Sequence, residues 1–133
     1  NANTILEDQS NNVKEVINEN VELVKMCNEF EKLLKMSNFD IDKIGFLLNK
    51  SWQIKKKLSD KISSTQIDNL YNRGIHEGAS GGKVLGAGGG GYILFYVPTK
   101  NQRNFINSFT KDIVNFEFEG YGTKIVYNEY LKT

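Results

Sequence analysis

Lys83-Val84-Leu85-Gly86-Ala87-Gly88-Gly89-Gly90-Gly91-Tyr92-Ile93-Leu94-Phe95-Tyr96-Val97-Pro98 is the stretch on which the fold turns. Five glycines fall in six consecutive positions, 86 to 91, between two apolar runs of β character. Such a tract costs backbone entropy and buries no side chain. It therefore implies a turn with positive φ, or a backbone that something approaches closely. Gly86-x-Gly88-x-x-Gly91 matches the dinucleotide fingerprint by letter, but that fingerprint needs a helix directly afterwards. Tyr92 to Val97 is instead rich in aromatic and β-branched residues, which favour a strand. No Gly-Lys-Ser/Thr follows, which excludes a Walker A loop. What remains is a β-hairpin, Lys83–Gly86 with Tyr92–Val97, around a glycine turn wide enough for a phosphate or a neighbouring loop. Pro98 stops the second strand.

Working outward, the residues before the hairpin read as helices. Leu6, Val13, Val16, Ile17, Leu23, Val24, Cys27, Phe30, Leu33 and Leu34 recur mostly at three- and four-residue steps. They predict one long amphipathic helix, or two with a break near Ser10-Asn11-Asn12. Asp40 is placed to cap a following helix whose inward face is Ile41, Ile44, Leu47, Leu48, Trp52 and Leu58. Ser63-x-x-Gln66 has the pattern of a capping box opening a third helix. Its face is Ile67, Leu70, Tyr71, Gly74, Ile75 and Gly78. Gly74 and Gly78 suggest close approach of another backbone, and helix termination also explains Gly78.

After the hairpin, Thr99-x-x-Gln102 opens a short helix that turns Phe105, Ile106 and Phe109 inward. Phe116 and Phe118 alternate with Glu117 and Glu119, the period of a half-buried strand. Gly120-Tyr121-Gly122 turns the chain into a last strand, Thr123 to Tyr127. The order is α-α-α-β-β-α-β-β. This is an α+β class, with N-terminal helices followed by a small, mostly antiparallel sheet. The β-β-α-β tail resembles the second half of a ferredoxin-like fold whose opening strand is missing.

Bulk properties narrow the function classes. The 133 residues make one domain, 1–133, long enough to bury a working core. A net charge of +1 gives no basic excess for a nucleic acid. No apolar run approaches the roughly 20 residues of a membrane span, so no membrane partner and a cytoplasmic location are expected. The single cysteine, Cys27, cannot form an internal disulfide. Among Val24, Met26 and Phe30 it reads as a small buried hydrophobe. No His/Cys/Asp/Glu spacing suggests a metal site, and His76 beside Glu77 reads as a surface helix residue.

Gly78-Ala79-Ser80-Gly81-Gly82-Lys83-Val84-Leu85-Gly86-Ala87-Gly88-Gly89-Gly90-Gly91 resembles the third signature motif of the GHMP small-molecule kinases. Upstream, Trp52-x-x-Lys55-Lys56-x-Leu58-Ser59 leads through Ile62-Ser63 to Ile67-Asp68-x-Leu70-Tyr71. That combination is similar to the heptose 7-phosphate kinase branch of the superfamily. The resemblance implies a ferredoxin-like C-terminal kinase domain lacking its first strand. Its partner would be an N-terminal ATP-binding domain carrying a Pro-x-x-x-Gly-Leu-Gly-Ser-Ser-type loop. It implies an enzyme that moves the γ-phosphate of ATP, with Mg²⁺, to the anomeric hydroxyl of D-glycero-D-manno-heptose 7-phosphate. The bisphosphate would feed nucleotide-activated heptose synthesis for a bacterial surface polysaccharide.

By the same resemblance Gly86, Ala87, Gly88, Gly89, Gly90 and Gly91 form an active-site loop lying against the phosphate loop of the other domain. A side chain at Gly89 would obstruct that junction. Lys55, Lys56 and Lys83 are candidates for substrate phosphate, with a solvated charged face as the other reading of the lysine run. Trp52 is a candidate for the sugar wall or for the core. No catalytic residue is assigned to this chain, which alone is expected to be inactive. Two other readings stay open: a kinase for a fucose-like sugar, and a non-catalytic ferredoxin-like module binding a small ligand or a protein. A sheet missing its first strand also exposes a pairing edge, so a homodimer is an expectation.

Overall fold

A computed structural model describes residues 2–11, 16–109 and 112–122. Five helices and two strands follow in the order α1 (Ala2–Asn11), α2 (Ile17–Leu34), α3 (Lys43–Lys56), α4 (Thr65–His76), β1 (Gly81–Val84), β2 (Ile93–Tyr96) and α5 (Thr99–Ser108). The class is α+β, as the sequence implies. β1 and β2 pair antiparallel, with Gly81 opposite Tyr96 and Val84 opposite Ile93. One further bond, from Leu85 N to Tyr92 O at 2.9 Å, carries the hairpin to the mouth of the glycine loop.

The N-terminal pattern resolves into two helices, α1 and α2, on either side of the expected break. Leu23, Met26, Phe30 and Leu33 form the inner stripe of α2, at steps of three, four and three. They pack on Leu47 and Ile54 of α3. Cys27 is exposed, against the expectation of burial. It lies one residue past Met26, a rotation of about 100° on a helix, which takes it off the inner stripe.

Each helix start differs slightly from its sequence signal. Asp40 does not cap α3; its Oδ1 accepts from Asp42 N at 3.0 Å and shapes the preceding turn. Asp42 makes no side-chain cap either. Its carboxylate accepts from the Tyr96 hydroxyl at 2.8 Å and ties α3 to β2. Ser64, not Ser63, caps α4, its hydroxyl accepting from Ile67 N at 3.3 Å. Ser63 turns its hydroxyl to Asp68 instead, at 2.9 Å. At α5 the residue before the helix is Pro98, with no side-chain cap, and Gln102 donates to Val97 O.

The main core joins Ile5, Trp52, Leu58, Ile62, Tyr71 and Val84. A second cluster, Ala79 with Phe105 and Phe109, lies under α5. A run of rings links the two. Trp52, Tyr71, Phe95, Phe105 and Phe109 succeed one another at centroid separations of 6.3, 5.7, 5.5 and 4.8 Å. Of the expected inward residues, Leu47, Trp52, Leu58, Tyr71, Phe105 and Phe109 are buried, whereas Ile41, Leu70, Ile75 and Ile106 are exposed.

Glycines decide how the helices meet the hairpin. A Cβ on Gly81 would stand 1.8 Å from the Gly45 carbonyl oxygen of α3. A Cβ on Gly74 would stand 2.3 Å from the Phe95 ring. β1 therefore starts two residues earlier than its apolar pattern suggests, because the glycines at 81 and 82 let it lie flat against its neighbours. The close approach at Gly74 is made by the Phe95 ring and not by the backbone expected there, and Gly78 ends α4 at φ +107°.

Residues 113–119, read as a strand around Phe116 and Phe118, carry no regular structure. Phe116 is 61% and Phe118 90% exposed, and their rings stack edge to face on each other. Alternation makes a strand only where a neighbouring strand supplies ladder bonds, and none does so among the described residues. The strand expected at 123–127 lies outside the described residues.

Two measurements test this architecture. Gly81→Ala should destabilise the chain by about 3 kcal/mol or more, since backbone stands in the way of the new methyl. A lower urea midpoint at unchanged slope would show it. The second concerns Asp8, which joins α1 to residues 59–61. Its carboxyl is held below the ordinary value near 4, first by the Ser59 hydroxyl, then by Lys61. A depressed carboxylate stabilises the fold above its unfolded value, and that stability is lost as pH falls through the folded value. Asp8→Asn should flatten the loss of stability below about pH 4.

Candidate functional site

The glycine loop spans 86–91 between the two strands. Gly86, Gly88, Gly89 and Gly91 have φ of +78°, +114°, +73° and +93°. A side chain is strained in each of these conformations, so the run is far more than a two-residue hairpin turn requires. The loop's two sides differ. On the inner side, a Cβ on Gly88 would meet Ile62 O at 2.9 Å, and one on Gly89 would meet Ile5 Cδ1 at 2.5 Å. Gly89 N also donates to Ile62 O at 2.8 Å. On the outer side, no atom of the described residues lies within 4 Å of where a Cβ on Gly86 or Gly90 would stand.

Within this chain, a side chain at Gly89 meets Ile5. Gly90 is the informative position, since neither its φ nor its surroundings require glycine.

The three lysines part company in the structure. Lys55 closes α3 and its Nζ donates to the Gly86 carbonyl oxygen at the root of the loop. Lys83 follows Gly81 by two residues and so points to the same face of the hairpin, toward α3. Burial pulls the Lys55 ammonium below its ordinary pKa, and the charge of Lys83 pulls it further. A carbonyl solvates an ammonium but does not neutralise it. Among the described residues neither Lys55 nor Lys83 has a carboxylate partner. Lys56 is committed elsewhere. It pairs with Asp68 of α4 at 3.3 Å and lies 5.9 Å from the Trp52 ring centroid.

Trp52 is fully buried. It offers no face to a sugar, so its assignment to a sugar wall is corrected to the core. At the mid-helix position it occupies, the ring packs between Tyr71 and the hairpin. His76 is an exposed residue near Glu77, as expected. Among the described residues no three His, Cys, Asp or Glu side chains gather as a metal site. No described helix is long and apolar enough to cross a membrane.

The sequence reading gave no role under the loop to four residues. Ile5, Asp8, Ser59 and Ile62 support it from below, and the only sequence signal was a serine and an isoleucine beside the lysine run. A separate groove of about 600 Å³ runs between β2 and α5, lined by apolar residues such as Leu70, Tyr92, Ile106 and Val114. Among the described residues, Asp112 is the only charged one in its lining. It is poorly suited to a phosphate, and the paired ammonium groups make the loop the better candidate.

Residues 30–112 match the family model for the C-terminal region of the GHMP kinases. The chain belongs to the GHMP kinases. It is 33% identical over 88 residues to the D-glycero-alpha-D-manno-heptose 7-phosphate kinase of Campylobacter jejuni subsp. jejuni serotype O:2. That alignment covers 64% of this chain and 26% of the relative. It is also 23% identical over 90 residues to the bifunctional fucokinase/GDP-fucose pyrophosphorylase of Arabidopsis thaliana, covering 68% of this chain and 8% of that protein. The chain thus spans about a quarter or less of the length of either relative. The glycine loop and all three lysines lie inside the region matched to the family.

The loop's asymmetry predicts unequal costs for one substitution. Gly88→Ala should cost about 1–3 kcal/mol, from strain and contact with Ile62. Gly90→Ala should be neutral, or stabilising by up to about 1 kcal/mol through the unfolded chain. Urea denaturation of the two variants side by side reads the difference.

Proposed function

We propose that this chain forms part of an ATP-dependent sugar kinase in which the glycine loop closes the active site against an ATP-binding lobe. The observation that carries this reading is the loop's open outer side. Its inner side is seated on Ile62 and Ile5, while no described atom lies within 4 Å of where a Cβ on Gly86 or Gly90 would stand. Successive backbone N–H groups in such a loop form a concavity that favours anions. Phosphoryl transfer depends on positioning and on spreading the charge of the moving group. A side-chain-free surface lets another phosphate-bearing loop approach closely.

The acceptor we infer is D-glycero-D-manno-heptose 7-phosphate. Two observations support a phosphorylated sugar: the heptose 7-phosphate kinase among the relatives, and the unneutralised pair Lys55 and Lys83 at the root of the loop. A bound phosphate dianion would relieve the repulsion between the two ammonium groups. In the reaction the anomeric oxygen attacks the γ-phosphorus of ATP, and the bond from that phosphorus to the β–γ bridging oxygen breaks. ADP leaves and the hydroxyl proton passes to a base outside this chain. In this reading the chain contributes cations and loop backbone, and turnover of ATP needs the ATP-binding lobe as well.

Release of ADP by the full-length protein, assayed with heptose 7-phosphate, unphosphorylated heptose and fucose, tests the reading. ADP release should depend on heptose 7-phosphate. Lys83→Met should raise KM for that sugar at least about tenfold, the scale of one charged hydrogen bond, with KM for ATP unchanged. Gly90→Ala should lower kcat with no loss of stability. Preference for fucose, or ADP release indifferent to sugar, would refute the assignment.

A further inference from the structure

The loop's position is set by only a few atoms. Gly88 and Gly89 touch Ile62, the Lys61 carbonyl and Ile5, and Gly89 N is bonded to Ile62 O. What fixes residues 61–62 is therefore what fixes the loop. Ser59 is buried, and its Oγ accepts from Lys61 N at 3.1 Å. Its backbone oxygen accepts from Ile62 N at 3.1 Å. The same hydroxyl donates to Asp8 Oδ2 of α1. The other carboxylate oxygen, Oδ1, accepts from Lys61 Nζ at 3.0 Å. One carboxylate on α1 thus holds both ends of the 59–61 turn. Ile5, one helical turn earlier on α1, reaches up to Gly89.

We propose that α1 is a positioning element for the active-site loop, with Asp8 clasping the 59–61 turn and Ile5 bearing directly on Gly89. α1 lies outside residues 30–112, the part matched to the family. None of the clasp residues faces the outer side of the loop, so Asp8, Ser59 and Ile5 act through the loop and touch no substrate. The inference rests on the reading of the loop as part of a kinase site. It adds that the site's geometry is held from below by a helix remote in sequence.

The choice of residues allows a local test. Ile5→Val removes Cδ1, the atom that faces Gly89. Asp8→Asn keeps the shape of the carboxylate and removes its charge. In the full-length protein, amide hydrogen exchange at Gly88–Gly90 should speed up about tenfold in each variant, with α5 protected as before. The value of kcat for sugar-dependent ADP release should fall by a similar factor, with KM for ATP little changed. Ser59→Ala should behave like Asp8→Asn, and Ser59→Thr, which keeps the hydroxyl, should restore both readouts.

Unchanged exchange at the loop would overturn the proposal. So would an equal loss of protection in the loop and α5, which would mean that α1 only supports the fold at large. If the wild-type protein showed no sugar-dependent release, the kinase reading would fail, and the exchange data would still decide the clasp. If the wild type were active and the variants kept both rate and protection, the clasp alone would fail. A variant that did not fold would be replaced by Ile5→Val, which removes a single methyl group.

Discussion

The contact between Gly81 of β1 and Gly45 of α3 is the constraint on which the rest depends. Any side chain at 81 would occupy the space of the Gly45 carbonyl, 1.8 Å from a new Cβ. Gly45 is equally confined, its own Cβ position lying 2.7 Å from Ser80. Two glycines that meet this way let a strand lie directly on a helix, with no side-chain layer between them. The hairpin is thereby locked to α3. Its next turn of backbone carries Lys83 to the helix, and its loop opens where α3 ends. The meeting of Lys55 with Gly86 follows from that alignment.

The glycine loop then serves two physical ends at once. Four of its residues hold positive φ, a backbone shape that other residues adopt only under strain. Gly88 and Gly89 add a second reason, since they press on Ile62 and Ile5. Gly90 has neither reason among the described residues, and the proposed approach of a second lobe is what would give its bareness a use. The cost of desolvating Lys55 beside another ammonium points the same way. Like charges brought together without a carboxylate weaken a fold, and a ligand anion would turn that cost into binding.

Several local signals were legible in the residues and were redirected by their neighbours. The capping signal before α4 fell one residue early: Ser64 takes the cap, and Ser63 bonds Asp68 instead. Lys56 was a candidate for substrate phosphate, but α4 brought Asp68 within reach and turned it into a structural pair. Phe116 and Phe118 had the period of a strand, yet a period is only half of a strand and the pairing partner is the other half. Cys27 followed the apolar repeat loosely enough to fall beside the buried stripe, one residue from Met26.

The sequence by itself determined the class, the hairpin and the kinase family. Those rest on periodicity, on turn chemistry and on a glycine motif, all of which are local. Tertiary structure alone decided which lysines lack a carboxylate partner among the described residues, that Trp52 is core, and that α1 reaches the loop. Asp8 and Ser59 are 51 residues apart, and nothing in either neighbourhood announces the other. Which side chains converge depends on how whole helices pack, and packing is settled by contacts between segments that no local pattern encodes.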